Sequence, residues 1–189
     1  MKLIKIAGLF LSTALLINTA QAQSKMSGEK TVMVGGAAMY PSKNIIDNAV
    51  NSKDHTTLVA AVKAAGLVET LQGTGPFTVF APTNAAFNKL PAGTVETLVK
   101  PENKATLTKI LTYHVIAGKY DSKAIASLIK AGGGKATLKT VSGGSLTAMM
   151  KGSQLVLTDE KGGMSTVTIK DVYQSNGVIH VVDTVLMPQ

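Results

Sequence analysis

The 189-residue chain contains no cysteine, no tryptophan and no arginine. Each absence removes a class of function or a source of stability. Without cysteine there is no disulfide, no thiol nucleophile and no Cys-based zinc site. Stability must then come from an ordinary hydrophobic core, for which one domain of this length is sufficient. Without arginine there is no bidentate fork for phosphate or guanine, and no Arg-Gly-Asp adhesion tripeptide. All 19 basic residues are lysines, and they are scattered along the chain. Aromatic residues make up 4% of the chain, too few for base-stacking platforms. A net charge of +8 therefore reads as a solvated lysine-rich surface. Nucleic acid is not expected as a partner, whereas weak association with anionic surfaces such as polysaccharide or lipid headgroups is.

Recognisable catalytic patterns are also missing. No G-x-S-x-G elbow occurs. The stretch Ala131–Thr137 (AGGGKAT) has the wrong residues for a phosphate loop: Ala136 follows Lys135 where Ser or Thr is needed. The three histidines, His55, His114 and His180, show no i, i+4 pairing for zinc. Met149 and Met150 fall on opposite faces of a strand, so they read as core filling and not as copper ligands. No catalytic residue, metal or cofactor is expected.

The N-terminus carries a three-part export pattern. Lys2 and Lys5 precede an apolar run, Ile6 to Ile17, and Ala20-Gln21-Ala22 gives a small-x-small cleavage site. The run is too short to span a bilayer comfortably. Residues 1–22 are thus read as a cleaved signal peptide, and the mature protein as secreted or periplasmic. No cysteine follows the run, which argues against a lipid-modified anchor. Residues 23–40 form a leader and arm, whose apolar part, Thr31 to Tyr40, is expected to lie on the domain's own core. An exposed strand that pairs with another molecule is the alternative reading. Residues 41–189 form one domain, and no later apolar stretch is long enough to cross a membrane.

Within that domain the stretch Thr78 to Phe87 (TVFAPTNAAF) stands out. A short apolar strand stops at Pro82, which has no N–H for a ladder bond. Thr83 is placed to cap the helix that follows. Upstream, Ser42 and Asp54 are candidate caps for helices over Lys43–Val50 and His55–Ala65, and Gly66 is a natural stop. His55 is expected on the surface of the first turn. Downstream, Thr94 is expected to cap Val95–Val99, Pro101 to open the next helix, Tyr113–Ile116 to form a short strand, and Asp121 to cap Ser122–Ala131. From Lys135 the apolar period becomes two, with Gly-rich turns between four strands. Asn176-Gly177 is a hairpin signal before a last strand, Val178–Met187. Helices first and strands last make an α+β fold. In the last strand, alternation sets His180 and Asp183 on opposite faces, which argues against a catalytic dyad. Asp183 is expected to anchor a turn.

Three blocks carry a family resemblance. TVFAPTNAAF (Thr78–Phe87) resembles the first signature of the fasciclin domain, ILTYHV (Ile110–Val115) its central Tyr-His motif, and NGVIHVVDTVLMP (Asn176–Pro188) its second signature. They occur in the family's order and spacing. The resemblance implies a twisted β-sandwich or wedge of about seven strands with helices packed around one side. It implies Pro82, Thr83, Asn84, Phe87, His180 and Asp183 as fold-signature residues, and Tyr113 and His114 as candidates for an adhesion surface. The residues themselves offer another reading of His114: a buried imidazole bonded to backbone or to Asn84. The resemblance further implies a non-enzymatic secreted protein of cell adhesion or of matrix and envelope binding, with a cell-surface, matrix or polysaccharide partner. The alternative is a carrier of an apolar small molecule such as a pigment or lipid. Ala, Val, Leu and Met would line its groove between helix and sheet, and some fasciclin relatives bind pigments.

Overall fold

A computed structural model describes residues 29–189. The signal-peptide expectation and most of the leader lie outside the described residues. The chain first forms a hairpin, β1 (Val32–Val34) and β2 (Ala37–Met39), turned by Gly35-Gly36 at positive φ. Three helices follow: α1 (Ile45–Ala49), α2 (Thr56–Ala65) and α3 (Val68–Gln72). Next come β3 (Phe77–Pro82), α4 (Asn84–Asn88), α5 (Thr94–Leu98), α6 (Lys104–Tyr113), β4 (Val115–Ala117) and α7 (Ser122–Ala131). Five strands complete the domain: β5 (Lys135–Lys139), β6 (Ser145–Lys151), β7 (Gln154–Thr158), β8 (Met164–Gln174) and β9 (Gly177–Val182).

Seven strands make one sheet in the order β4-β3-β9-β8-β7-β6-β5. All neighbours are antiparallel except β3 and β9, which run parallel from Phe77↔Gly177 to Pro82↔Val182. The sheet curls until its two ends nearly meet, where the Val141 N–H donates to the Val115 carbonyl at 2.8 Å. Alternation along β3 and β9 feeds two cores. Val79, Ala81, Ile179 and Val181 face the helical layer, packing with Leu58 and Val62 of α2 and Leu107, Ile110 and Leu111 of α6. Phe80 and Val182 face the curled interior, with Leu146, Leu157 and the α7 residues Ile125 and Ile129. Helix α7 therefore closes the second core, apart from the helices that cover the first.

Local chemistry explains most element boundaries. Gly66 ends α2 in the left-handed region (φ 73°), and the Leu67 N–H returns to the Val62 carbonyl at 3.0 Å. Asp121 caps α7 by accepting the Ala124 N–H at 2.8 Å. Three expected caps are displaced. Asn44, not Ser42, caps α1 by accepting the Asp47 N–H at 2.9 Å. Gly93 in the left-handed region precedes α5, and Thr94 is its first residue. No local side chain caps α2; Asp54 lies in a 3-10 turn before it. Tyr113 ends α6 instead of opening a strand, and β9 stops at Val182. Val185 and Leu186 are apolar because they are buried, not because they pair.

The hairpin is docked. Val34 and Met39 are buried in the helical-side core. Asn48 of α1 holds its end: the Asn48 Oδ1 accepts the Tyr40 N–H at 2.9 Å, and its Nδ2 donates to the Tyr40 carbonyl at 2.8 Å and to Gln174 of β8. Asn176 does a similar job for three elements. Its Oδ1 accepts the Ile45 N–H at 3.0 Å, and its Nδ2 donates to the Leu71 and Gly73 carbonyls, each at 2.8 Å. Truncation of this buried side chain leaves one donor and two acceptors without partners. Asn176→Ala is expected to lower stability by about 2–4 kcal/mol in urea denaturation; a loss under about 1 kcal/mol would contradict this role.

Candidate functional site

In the first signature, the Thr83 hydroxyl accepts the Ala86 N–H at 3.2 Å and starts α4. Asn84 reaches further. Its Oδ1 accepts the Thr57 N–H (3.0 Å) and the Thr56 hydroxyl (3.2 Å), and its Nδ2 donates to the Lys53 carbonyl at 2.8 Å. Asn84 thus supplies, from 27 residues away, the cap that α2 lacks locally. Pro82 is the last residue of β3, and Phe87 is buried in the helical-side core.

Tyr113 and His114 sit side by side where α6 meets β4, and both are buried. The Tyr113 hydroxyl donates to the Ser145 carbonyl at 2.7 Å and accepts the Glu160 N–H at 3.2 Å. Its ring lies where a Cβ on Gly144 would come within 2.7 Å, so the turn must carry glycine there. His114 Nδ1 lies 2.9 Å from the Ile110 carbonyl, and its Nε2 accepts the Leu186 N–H at 3.0 Å. A carbonyl only accepts and an amide only donates, so the proton resides on Nδ1. Burial pulls the His114 pKa below the ordinary 6.5, against the opposing pull of the Ile110 carbonyl. The ring does not meet Asn84. It ties α6 to the second signature, while the His114 carbonyl accepts the Phe80 N–H of the first at 2.9 Å. With both side chains internal, the Tyr-His pair offers no side-chain atom to a partner in this conformation.

His180 is fully buried and stacked on Phe80, with ring centroids 5.6 Å apart. Its Nδ1 accepts the Asp171 N–H at 3.3 Å, so Nε2 carries the proton, which goes to the Tyr120 carbonyl at 2.9 Å. Burial again lowers the pKa. Asp171 adopts φ 60°, and its carboxylate accepts the Ser122 N–H at 2.6 Å and the Ser122 hydroxyl at 2.5 Å. Asp183 lies beyond the end of β9, away from His180. It accepts the Thr166 N–H at 2.8 Å and the Thr184 and Ser165 hydroxyls at 3.1 and 3.3 Å, and pairs with Lys89 at 3.8 Å. Partial burial pushes its carboxyl up, but the Thr166 N–H, the Thr184 hydroxyl, Lys89 and Ser165 together hold it below the ordinary 3.8.

His55 corrects the expectation of a surface residue: it is 3% exposed. Its Nδ1 lies 2.9 Å from Ser52 Oγ. It lines a pocket of about 70 Å³ between the hairpin, α1–α3 and the sheet, walled by Val34, Met39, Leu58, Leu71 and Ile179. Nothing in the sequence near His55 marks it as buried except the spacing Ser52-x-x-His55, which sets the two side chains on one turn. Among the described residues no three His, Asp or Glu side chains gather as a metal site, and no helix is long and apolar enough to cross a membrane.

A curled seven-stranded sheet, helices packed on β3 and β9 and a signature turned inward define an α+β domain built around parallel signature strands. The chain belongs to the Fasciclin domain family, which matches residues 53–188. Protein sll1483 of Synechocystis is 46% identical over 160 residues, covering 85% of this chain and 82% of that protein. Cell surface glycolipoprotein MPB83 of Mycobacterium bovis is 36% identical over 160 residues, covering 82% and 64%. Among solved structures, a FAS1 domain pair from the insect cell adhesion molecule Fasciclin I matches the fold with a TM-score of 0.69 at 20% identity, covering 78% of this chain and 52% of that one.

The buried histidines make stability depend on pH. An unfolded histidine takes up its proton near 6.5, whereas folded His114, His180 and His55 resist protonation. Stability is therefore full above that value and falls as pH drops through it. Asp121 and Asp183, held below 3.8, add a second loss as pH falls below that value. Calorimetry is expected to show Tm dropping between about pH 7.5 and 5, by about 2–4 °C per kcal/mol lost; a flat profile would contradict neutral burial.

Proposed function

We propose that this protein is a secreted or periplasmic, non-enzymatic fasciclin-domain protein that binds a cell surface, matrix or polysaccharide. Family membership carries this reading. It is supported by a relative named as a cell-surface glycolipoprotein and by a fold neighbour from a cell adhesion molecule. The export pattern at residues 1–22 agrees with it. The polar groups of the signatures are engaged in internal hydrogen bonds, so in this reading they hold the surface in shape while other residues make contact. Tyr113 and His114 act by fixing the Gly144-Ser145 turn and the C-terminal segment.

The outward face of β5 and β6 is one candidate contact surface. Lys135, Lys139 and Lys151 project there, because Ala136, Leu138, Leu146 and Ala148 alternate with them into the core. Lysine without arginine suits diffuse, salt-sensitive attraction to polyanions. Purified protein is expected to bind dextran sulfate or isolated cell envelopes at low salt, with several-fold weaker binding after Lys135→Glu and Lys139→Glu. No binding to cells, glycans or matrix at low salt would count against the reading.

The pocket beside His55 favours a second reading, a carrier of an apolar small molecule. Its walls are almost wholly hydrocarbon, the lining expected of a small-molecule site.

A further inference from the structure

The outward face of β5 and β6 is open. Lys135, Thr137, Lys139 and Lys151 are exposed there, and Ser145, Thr147 and Met149 are half-buried. The register sets Lys135 beside Met149, Thr137 beside Thr147 and Lys139 beside Ser145. We propose that this face binds a linear anionic polysaccharide lengthwise, with acidic groups on Lys135 and Lys139 and sugar hydroxyls on Thr137 and Thr147. The proposal rests on the surface-binding reading above and adds the residues that read sugar as well as charge.

The spacing follows from strand geometry. Lys135, Thr137 and Lys139 share one side of β5, so the two lysines leave positions about 13–14 Å apart with a threonine midway. Facing residues of an antiparallel pair hold their Cβ atoms about 4.5–5.5 Å apart, so Thr147 sets a second hydroxyl beside the first. Both hydroxyls are available. Thr112, Thr140 and Thr168 donate theirs to the carbonyls of Thr108, Gly144 and Val181. Thr137 and Thr147 make no such bond among the described residues, and each offers one donor and two lone pairs. A chain lying along β5 meets a charge, a hydroxyl pair and a second charge in turn.

The charges on the face also lack internal partners. The ion pair among the described residues joins Lys89 to Asp183, beyond the end of β9. The acids at the end of β7 are turned to backbone: Asp159 accepts the Lys161, Gly163 and Met187 N–H groups, and Glu160 Oε1 the Ser145 N–H. A neutral glycan would leave the lysines unmatched. An anionic bilayer would match them but gives the threonine pair nothing to select. A polysaccharide bearing both acidic groups and hydroxyls matches both.

The test is calorimetric titration of the purified protein at low salt with polygalacturonate, polyacrylate and phosphatidylserine vesicles. Polyacrylate carries carboxylates without hydroxyls. The double variant Thr137→Val, Thr147→Val keeps side-chain shape and strand preference. It is expected to weaken polygalacturonate binding about 5-fold or more and to leave polyacrylate binding unchanged. Lys135→Gln with Lys139→Gln should weaken both. If the valine variant binds polygalacturonate as well as the wild type does, the threonine role is overturned and the polyanion reading stands. Binding to vesicles but not to polygalacturonate overturns the polysaccharide as ligand. Binding to none of the three overturns the proposal and the surface reading together. If the valine variant does not fold, wild-type amide NMR decides: Thr137 and Thr147 signals should move with polygalacturonate and hold still with polyacrylate, and equal movement with both overturns the proposal.

Discussion

The parallel pairing of β3 with β9 is the constraint on which the rest of this domain depends. The two strands are about a hundred residues apart in sequence, yet they lie side by side as the second and third strands of the sheet. Parallel strands need a crossover, and here it contains four helices and five other strands. Close backbone contact fixes the register. A Cβ on Gly177 would come within 2.1 Å of the Phe77 carbonyl, and one on Gly75 within 2.2 Å of the Asn176 carbonyl. Once this pair is set, alternation divides its side chains between two cores, and the helices and the curled half of the sheet have surfaces to cover.

Hydrogen bonds from the signature residues then lock the layers to that pair. His114 joins α6 to Leu186, His180 joins β9 to the segment before α7, Asn84 joins α4 to α2, and Asn176 joins the β8–β9 turn to α1 and α3. Each is a buried or half-buried polar side chain spanning elements far apart in sequence. Leaving any of them unpaired is costly, which makes them specify one arrangement and not many. A motif that identifies the family is in this sense an internal framework.

What the sequence disclosed follows the range of the interactions. Thr83, Asp121 and Gly66 were legible because a cap acts within one turn. The strands after Lys135 were legible from alternation and glycine turns. The cap of α2 was not, because its acceptor Asn84 lies across the fold, and Asp54 looked adequate nearby. Thr94 likewise lost to the preceding Gly93, whose left-handed conformation needs no side chain. His55 was misplaced because tertiary packing buries it, beside a pocket lined by hairpin, helix and sheet residues far apart in sequence, and the Tyr-His pair is internal because the Gly144 turn and Leu186, both distant in sequence, pack against it. The length of β9 was overread because apolar residues signal burial whether or not they pair.

The central claim is that the signature histidines are internal, neutral and committed to backbone partners. Long-range ¹H–¹⁵N NMR of the imidazoles near pH 7 tests it most directly. The Nδ1–H form is expected for His114 and the Nε2–H form for His180, both persisting as pH falls through the ordinary 6.5. The opposite tautomers, or titration of either ring near the ordinary 6.5, would contradict it.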